Sequence, residues 1–294
     1  MIDRSPARKL FRVCNTLFLI IMALLCILPM YHVLCLSFSS SPAVPGGKVT
    51  LWPVDFTTKS YEHIMAKDAY WKAMGMSFLR IGLGVPFSML CIILAAYPLS
   101  KTRAEFPAQP ALIGFFIFTM LFSGGMIPTY MVVRNTGLIN SIWSLILPCA
   151  VNAYDTLLLM NFFRAIPTDI EESARIDGAS QLRILFQIYL PLSLPALATL
   201  AVFIVVGHWN SWFDGMLYMN SEAKYPLQTY LQASLATNNN VRLMTKTLAM
   251  QRNAVSDRTL RAAEIFIAAV PVLVVYPFLQ RYFISGMTLG GVKE

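Results

Sequence analysis

The sequence predicts an all-α fold: a polytopic membrane bundle of six transmembrane helices. Hydrophobic residues make up 56% of the 294 residues and charged residues only 13%, whereas a soluble domain carries roughly 25% charged residues. The apolar runs are continuous, which favours helices over half-buried strands, and each approaches the roughly 20 residues that a membrane crossing requires. The predicted spans cover residues 13–36, 76–99, 110–132, 142–163, 194–214 and 262–284.

The first run follows a basic start, an arrangement that signal peptides share. The run over residues 13–36 is too long for the apolar region of a signal peptide, and no small-residue cleavage site follows it. We therefore expect a retained first span. The stretch 40–75 is polar and rich in proline and glycine, so it is predicted to be a loop with at most one short helix. No soluble domain stands out, and residues 1–294 are predicted to form one membrane domain.

Lysine and arginine near the span ends predict the orientation. With an even number of spans, both termini share one side with the connections between spans two and three and between spans four and five. All four segments carry basic residues, and the excess of lysine and arginine marks cytoplasmic segments. Both termini of this multi-pass protein are therefore predicted to be cytoplasmic. The polar stretch 215–261 would lie outside, although it is also basic, with Lys224, Arg242, Lys246, Arg252, Arg258 and Arg261.

A polar segment over residues 165–195 interrupts the apolar pattern between spans four and five. Thr168 and Glu171 have the spacing of a capping box, which predicts a helix that starts near Asp169. Gly178 can adopt the left-handed conformation that ends a helix. We expect a short helix followed by a tight turn.

A second helix is predicted directly after this turn. Ser180 is a good N-cap, and the following residues are helix-forming through Tyr189. Pro191 and Pro195 are expected to break this helix before span five begins. Together the two helices form a predicted cytoplasmic helix–turn–helix loop.

This loop resembles the EAA loop of binding-protein-dependent ABC importer permeases. The family pattern reads E-A-A-x-x-D-G-A followed by I-x-L-P-x-x-x-P. Residues 172–179 match it with Ser173 in place of the first alanine, and residues 188–191 and Pro195 match its second part. Four further stretches resemble the branch that handles oligosaccharides and complex glycans, including the alginate importer type: residues 124–130, 161–164, 207–213 and 276–283.

The resemblance implies a subunit that works in a complex in a bacterial inner membrane. Its partners would be a second homologous permease, an ATPase dimer, an extracytoplasmic solute-binding protein and membrane lipid, with no nucleic acid. It also implies that the loop docks on the ATPase and that the tail 286–294 reaches it. The coupling residues would be Glu171, Glu172, Ser173, Ala174, Arg175, Asp177 and Gly178.

The chain itself is not expected to be an enzyme. It has no G-x-x-x-x-G-K-[ST] motif for ATP, so ATP and Mg²⁺ would be bound and hydrolysed by the partner ATPase, with no cofactor in this subunit. The five cysteines contain no CxxC pair and the three histidines are scattered, so no metal site is expected.

A small set of polar residues in and beside the spans is a candidate substrate path. Asp155 lies within span four, where an ionisable residue is a functional candidate; a helix–helix hydrogen bond is the equally weighted alternative. The aromatic residues Trp212 and Phe213 fit a membrane-interface belt better than an outer gate, while Asn210 and Asp214 beside them stay open to a substrate role. The candidate path residues are Asn152, Tyr154, Asp155, Asn161, Asn210 and Asp214.

The basic stretch 215–261 suggests an acidic oligosaccharide substrate, such as an alginate-like uronate, because a cationic surface attracts polyanions. An acidic patch on the binding protein or anionic lipid are the alternatives. An ion-coupled secondary transporter is the other function considered, with Asp155 and Glu264 as its relay candidates. A membrane-embedded enzyme would need HExxH, GxSxG or paired carboxylates, and the sequence contains no such motif.

Overall fold

The computed structural model describes residues 6–40, 42–44, 47–234 and 258–274. Within these ranges the regular secondary structure is helical, with no β-strand. The chain divides into two compact units: Met1–Asp68 with Ser234–Pro271, and Ala69–Ala233 with Val272–Glu294. The second unit contains the segment 165–195.

In the first unit, helix α1 (Pro6–Ser37) contains the predicted first span. From Lys9 onward it is long and apolar enough to cross a membrane, and none of its apolar stretch is buried. Helix α2 (Lys59–Met65) is the short helix predicted within the loop. A further helix over residues 258–274 covers the start of the span predicted at 262–284; residues 275–284 lie outside the described residues.

Helix α3 (Asp68–Ser100) contains the predicted span 76–99 and starts eight residues before it. The additional residues include the charged Asp68 and Lys72, and an apolar run marks the part of a helix that is buried in lipid and not the residue where the helix begins. Near its carboxyl end α3 contributes Ile92, Ala96 and Leu99 to the main hydrophobic core of the second unit. This packing fixes the carboxyl end of α3 beside the segment 165–195.

The span predicted at 110–132 is wrong as a single helix. Helices α4 (Gln109–Leu121) and α5 (Met126–Asn135) meet there at an angle of 116°. Phe122 is extended, and Gly125 has φ +84°, a conformation that glycine adopts at no steric cost. Hydropathy alone does not register this break, since both sides of the bend are apolar.

The span predicted at 142–163 is also broken. Two 3₁₀ turns, Ile142–Leu145 and Leu147–Cys149, precede helix α6 (Ala153–Arg164), with a bend of 51°. The side chain of Asn152 accepts a hydrogen bond of 3.2 Å from the backbone N–H of Asp155 and so caps α6. A capped N-terminus in the middle of an apolar run divides the predicted span.

The next four helices follow in close succession. They are α7 (Thr168–Ile176), α8 (Gln181–Leu192), α9 (Leu194–Asn210) and α10 (Phe213–Tyr218). The predicted span 194–214 therefore ends as a continuous helix at Asn210, and a further helix covers residues 227–234.

Pro191 does not break α8, contrary to the prediction. A π turn over Leu185–Tyr189 precedes it, and the changed hydrogen-bond pattern accommodates a residue without an N–H. The break comes at Ser193, where α8 and α9 bend by 83°. Pro195 then stands in the first turn of α9, where its missing N–H costs nothing.

Two described helices can each cross a membrane, from Lys9 to Ser37 and from Asp68 to Ser100. The described residues provide up to five crossings if each of the bent pairs α4–α5, 142–164 and α8–α9 counts as one. Broken helices of this kind are tolerated at membrane depth where protein or a cavity surrounds the free backbone groups.

Candidate functional site

The turn between α7 and α8 is a Schellman motif. The N–H of Ala179 donates to the carbonyl of Ala174 at 2.9 Å, and the N–H of Gly178 donates to Arg175 at 3.0 Å. Gly178 has φ +78° and fills the position that favours glycine. The Ser180 hydroxyl accepts from the N–H of Arg183 at 3.4 Å and caps α8. The predicted stop at Gly178 and cap at Ser180 are confirmed.

The capping box predicted at the start of α7 does not form. The helix begins at Thr168, with Pro167 as the preceding residue and no side-chain cap. The carboxylate of Glu171 points into the protein instead of reaching back to the helix start. Its partners there offer three donors, which outweigh a single exposed backbone N–H.

Glu171 is held by side chains from three parts of the second unit. The Lys101 ammonium, one residue past α3, lies 2.5 Å from Oε1, and the Tyr189 hydroxyl of α8 donates to Oε2. Arg175 donates to Oε1 at 2.6 Å from the next turn of α7 and also lies 2.5 Å from Glu105. The carboxylate therefore joins α7 to the end of α3, to α8 and to the loop that precedes α4.

This arrangement changes the pKa values of its members. Burial alone would raise the pKa of Glu171, but the hydrogen bonds from Lys101, Tyr189 and Arg175 outweigh it and lower that pKa. Burial lowers the pKa of Lys101 against the opposing effect of Glu171. The pKa of Tyr189 is raised by burial and by the neighbouring carboxylate. The lowered pKa keeps Glu171 ionised at neutral pH, and Tyr189 keeps the proton that it donates.

The outer face of the helix–turn–helix is polar with apolar side chains between. Glu172, Ser173, Arg175, Asp177 and Gly178 are exposed, and Ala174 is half-buried. Ile176 is 86% exposed, and Leu182 and Phe186 on α8 are 61% and 51% exposed. Exposed apolar side chains within a polar surface are typical of a protein interface.

A cavity of about 300 Å³ lies behind this face. It is bounded by the end of α3, the loop before α4, the end of α6 and the inner side of α7. Its wall includes Arg164, which donates to the carbonyl of Leu99 at 3.1 Å, together with the side chains of Lys101 and Glu171. The helix–turn–helix is thus attached to the bundle by polar contacts around this cavity and also by the apolar core, to which Ile184 and Leu185 of α8 belong.

The candidate path residues of α6 divide between two faces. Asp155 is buried on the side of the helix that packs inward, and exposed Asn152 caps the same turn. Tyr154 and Asn161, seven residues apart and so on one helix face, are both exposed. The structure brings Asn152 and Asp155 together, and it places Tyr154 and Asn161 on a different side.

Asp214 lies in a second buried polar cluster, centred on Arg80 of α3. The Arg80 guanidinium contacts both carboxylate oxygens of Asp214, one of them at 3.3 Å, and its Nε donates to His208 Nδ1 at 3.2 Å. It also donates to the carbonyls of Leu145 at 3.2 Å and Ser211 at 3.5 Å. Asp214 therefore forms an ion pair with the buried Arg80.

Close packing surrounds this second cluster. A Cβ atom on Gly84 would lie 2.7 Å from Nε2 of His208, so glycine is required where α3 approaches α9. Asn210, by contrast, ends α9 with an exposed side chain. Of the two candidate path residues near this end of α9, Asn210 is exposed and Asp214 is paired with Arg80.

Sequence reasoning missed Arg80, Lys101 and Tyr189 as site residues. An arginine inside a predicted span is a signal in itself, since ionisable residues at membrane depth are rare and paired. Lys101 was used only as one of the basic residues that predict the orientation in the membrane. The ion pairs Arg80–Asp214 and Lys101–Glu171 join distant parts of the chain, so no local sequence pattern predicts them.

The basic stretch 215–261 is described only in part. The Lys224 ammonium donates to the carbonyl of Asn140 at 2.9 Å. Arg258 and Arg261 lie in the helix over residues 258–274. Arg242, Lys246, Arg252 and the tail 286–294 lie outside the described residues. Within the described ranges, no three His, Cys, Asp or Glu side chains are grouped so as to hold a metal ion.

Comparison with known proteins yields several relatives along nearly the whole chain. A polygalacturonan/rhamnogalacturonan transport system permease protein, YtcP, of Bacillus subtilis (strain 168) is 41% identical over 94% of this chain and 96% of its own length. Protein LplC of the same organism is 38% identical over 98% of this chain and 97% of its own length.

Solved structures with the same fold come from bacterial ABC transporters. A chain from a transporter involved in the import of the acidic polysaccharide alginate has a TM-score of 0.85 and 33% identity, and the match covers 96% of this chain and all of that one. A second, from an alginate ABC transporter in complex with an alginate pentasaccharide-bound periplasmic protein, has a TM-score of 0.57 and 15% identity over 92% and 93% of the two chains.

A family model agrees with these relatives and includes the helix–turn–helix. The model for the binding-protein-dependent transport system inner membrane component matches residues 63–221. This range runs from α2 to the end of α10 and so contains both buried ionic clusters. The chain belongs to the family of binding-protein-dependent transport system inner membrane components.

Proposed function

We propose that this chain is a permease subunit of an ATP-driven importer of oligosaccharides, which moves its substrate by alternating access. The observation that carries the proposal is the capped helix–turn–helix of α7 and α8, with its exposed polar and apolar face, in a chain of this family. Relatives that carry sugar-transport names along 94% of the chain support the substrate class.

The outer face of α7 and α8 is the proposed contact with a partner ATPase. Ile176 at the tip of α7, with Leu182 and Phe186 on α8, would enter a pocket of the ATPase. Exposed charged residues beside them, Glu172 and Arg175, would pair at its rim. ATP and Mg²⁺ would be bound by that partner, and its closure would move the helices of this subunit.

The proposed topology has six spans, with both termini and the α7–α8 segment in the cytoplasm. Two uninterrupted apolar helices, the bent pairs α4–α5 and 142–164, and the apolar helix α9 support five of these spans, and the helix over residues 258–274 would begin the sixth. Basic residues near the span ends support the orientation. In this topology the bundle would surround the backbone groups that each bend leaves without a helical hydrogen bond.

The exposed apolar faces of the bundle fit contact with lipid and with a second, homologous permease. On α4 and α5 the exposed side chains include Phe115, Phe118 and Ile127. An extracytoplasmic solute-binding protein would deliver the sugar at the opposite face from the ATPase. These partners complete the proposed complex.

An acidic oligosaccharide is the proposed cargo. One relative is a polygalacturonan/rhamnogalacturonan transport system permease, and one similar solved structure comes from a transporter of the acidic polysaccharide alginate. Polygalacturonan and alginate are both built from uronic acids. Tyr154 and Asn161 share an exposed face of α6 that would offer stacking and hydrogen bonds to a sugar chain. The basic stretch 215–261, which would lie outside in the proposed topology, also favours an anionic substrate.

Uptake by the reconstituted complex tests the proposal. With this subunit, its permease partner, the ATPase and the binding protein in liposomes, we expect uptake of a trigalacturonate only when ATP is supplied. Uptake of a neutral trisaccharide is expected to be lower by about tenfold, the effect of one lost charge-assisted contact.

Different results of this assay contradict different parts of the proposal. Equal uptake of the two sugars would remove the acidic cargo and leave the importer. Uptake that follows a proton gradient without ATP would favour the ion-coupled secondary transporter, for which buried Asp155 and Glu264 are the relay candidates.

A further inference from the structure

Two adjacent glutamates on α7 face opposite surroundings. Glu171 is buried, and Glu172 is exposed on the outer face. Successive residues of a helix point about 100° apart, so only one of the two can reach a partner protein while the other faces the bundle. Although both were predicted to be coupling residues, their positions indicate different roles.

The contacts of Glu171 connect α7 to elements that extend into the bundle. Lys101 follows the last residue of α3, and Tyr189 lies in α8, which leads into α9. The Lys101 ammonium also stands 4.1 Å from the ring centroid of Tyr97 and 4.6 Å from that of Tyr189. The ionic centre is thus enclosed by aromatic rings from α3 and α8.

Each polar group at this centre has a partner, so the geometry is well determined. Lys101 and Glu171 are mostly buried, and Tyr97 donates from its hydroxyl to Gln181 at 2.7 Å. Removing one member of a buried pair leaves the other charge without compensation. Displacement of α7 alone would separate this pair, so α7 and the end of α3 are constrained to move together.

The helix α3 continues this connection to the second ionic cluster. Arg80 lies on the same helix, 20 residues before Ser100, which corresponds to about 30 Å at 1.5 Å per residue. There it holds Asp214, just past the end of α9. One helix therefore has a buried cation bonded to the coupling segment near its carboxyl end and another bonded near the end of α9.

We propose that Glu171 is a positioning residue that transmits the movement of α7 into α3, and that it does not itself contact the ATPase. This inference rests on the proposed function, in which the outer face of α7 docks on an ATPase. Glu172 on that face would serve docking. Glu171 would determine how much of the ATPase movement reaches the bundle.

The test compares Glu171→Gln with Glu172→Gln in the complete reconstituted complex. Glutamine keeps the shape and removes the charge in both variants. Copurified ATPase, ATP hydrolysis and uptake are measured in the same preparation. Glu171→Gln is expected to lower the import ratio, which is the number of sugar molecules imported per ATP hydrolysed, by about tenfold. Glu172→Gln is expected to lower copurified ATPase, hydrolysis and uptake in parallel.

Two further comparisons make the test specific. The control Glu62→Gln changes an exposed glutamate of α2 and should leave all three readouts unchanged. The double variant Lys101→Met/Glu171→Gln should have the same import ratio as Glu171→Gln alone, since residues that act as one unit are not additive. If Glu171→Gln does not assemble, Tyr189→Phe removes one of its hydrogen bonds, and a lowered import ratio is expected there too.

The outcomes separate this inference from the proposed function. If the unchanged complex shows no ATP-dependent uptake, the proposed function fails. If it does, and Glu171→Gln or Tyr189→Phe assembles with an unchanged import ratio, the positioning role is wrong. A parallel loss of copurified ATPase in Glu171→Gln would also overturn the inference, because it would make Glu171 a docking residue.

Discussion

Replacing Arg80 by methionine is expected to destabilise the protein more than any other single change considered. Arg80 is almost completely buried and Asp214 is mostly so, and the guanidinium also donates to two backbone carbonyls and His208. Removal of one partner from a buried ion pair costs about 3–5 kcal/mol. The partial exposure of Asp214 favours the lower end, near 3 kcal/mol, and hence a decrease of at least about 5 °C in apparent unfolding temperature.

Thermal unfolding in detergent, followed by the fraction of monodisperse protein, measures this effect. Arg134→Met is the matched control, because Arg134 is an exposed arginine near the end of α5. The double variant Arg80→Met/Asp214→Asn should recover part of the loss, since it no longer leaves a charge buried alone. An Arg80→Met protein as stable as the Arg134→Met control would contradict the assigned role of the cluster.

Replacing Gly178 by valine is expected to separate ATP hydrolysis from uptake. Gly178 has φ +78° at the Schellman turn, and its surroundings leave open space for a side chain. The cost is therefore conformational, at least 1–2 kcal/mol for a residue with a Cβ, and it is relieved by reorienting α7 against α8. Sugar imported per ATP hydrolysed should decrease by tenfold or more if α7 and α8 must hold one geometry.

Gly137 offers a matched control for this substitution. It ends α5 in the same motif, with φ +73°, open space around it, and a hydrogen bond of 3.2 Å from the N–H of Leu138 to the carbonyl of Val133. Gly137→Val introduces the same backbone strain outside the coupling segment. We expect it to lower stability but keep the import ratio; an equal decrease in both variants would attribute the effect to strain in general.

Local signals explain which parts of the fold were predictable. The positions of α1 and α3 follow from uninterrupted apolar runs. The turn at Gly178 and the cap at Ser180 follow from the conformational preferences of single residues. In each case the information lies within a few residues of the feature that it specifies.

The broken helices and the ionic clusters required the structure. The bend at Gly125 occurs inside a stretch that is apolar on both sides, so hydropathy predicts one helix there. Glu171 had the spacing of a capping box, but the tertiary fold offers it Lys101 and Tyr189, which are 70 and 18 residues away in the chain. Competition between a local and a distant partner cannot be decided from spacing alone.

Photocrosslinking from Ile176 tests most directly whether the outer face of α7 and α8 contacts an ATPase in the cytoplasm. In a chain whose five native cysteines are replaced by alanine, Ile176→Cys is labelled with a benzophenone maleimide in the complete complex. Trp52→Cys is the control, since Trp52 is 75% exposed in a loop that the proposed topology places outside. We predict a crosslink to the ATPase from position 176 and none from position 52. Absence of the ATPase from the products at position 176, or its presence at position 52, would contradict the account.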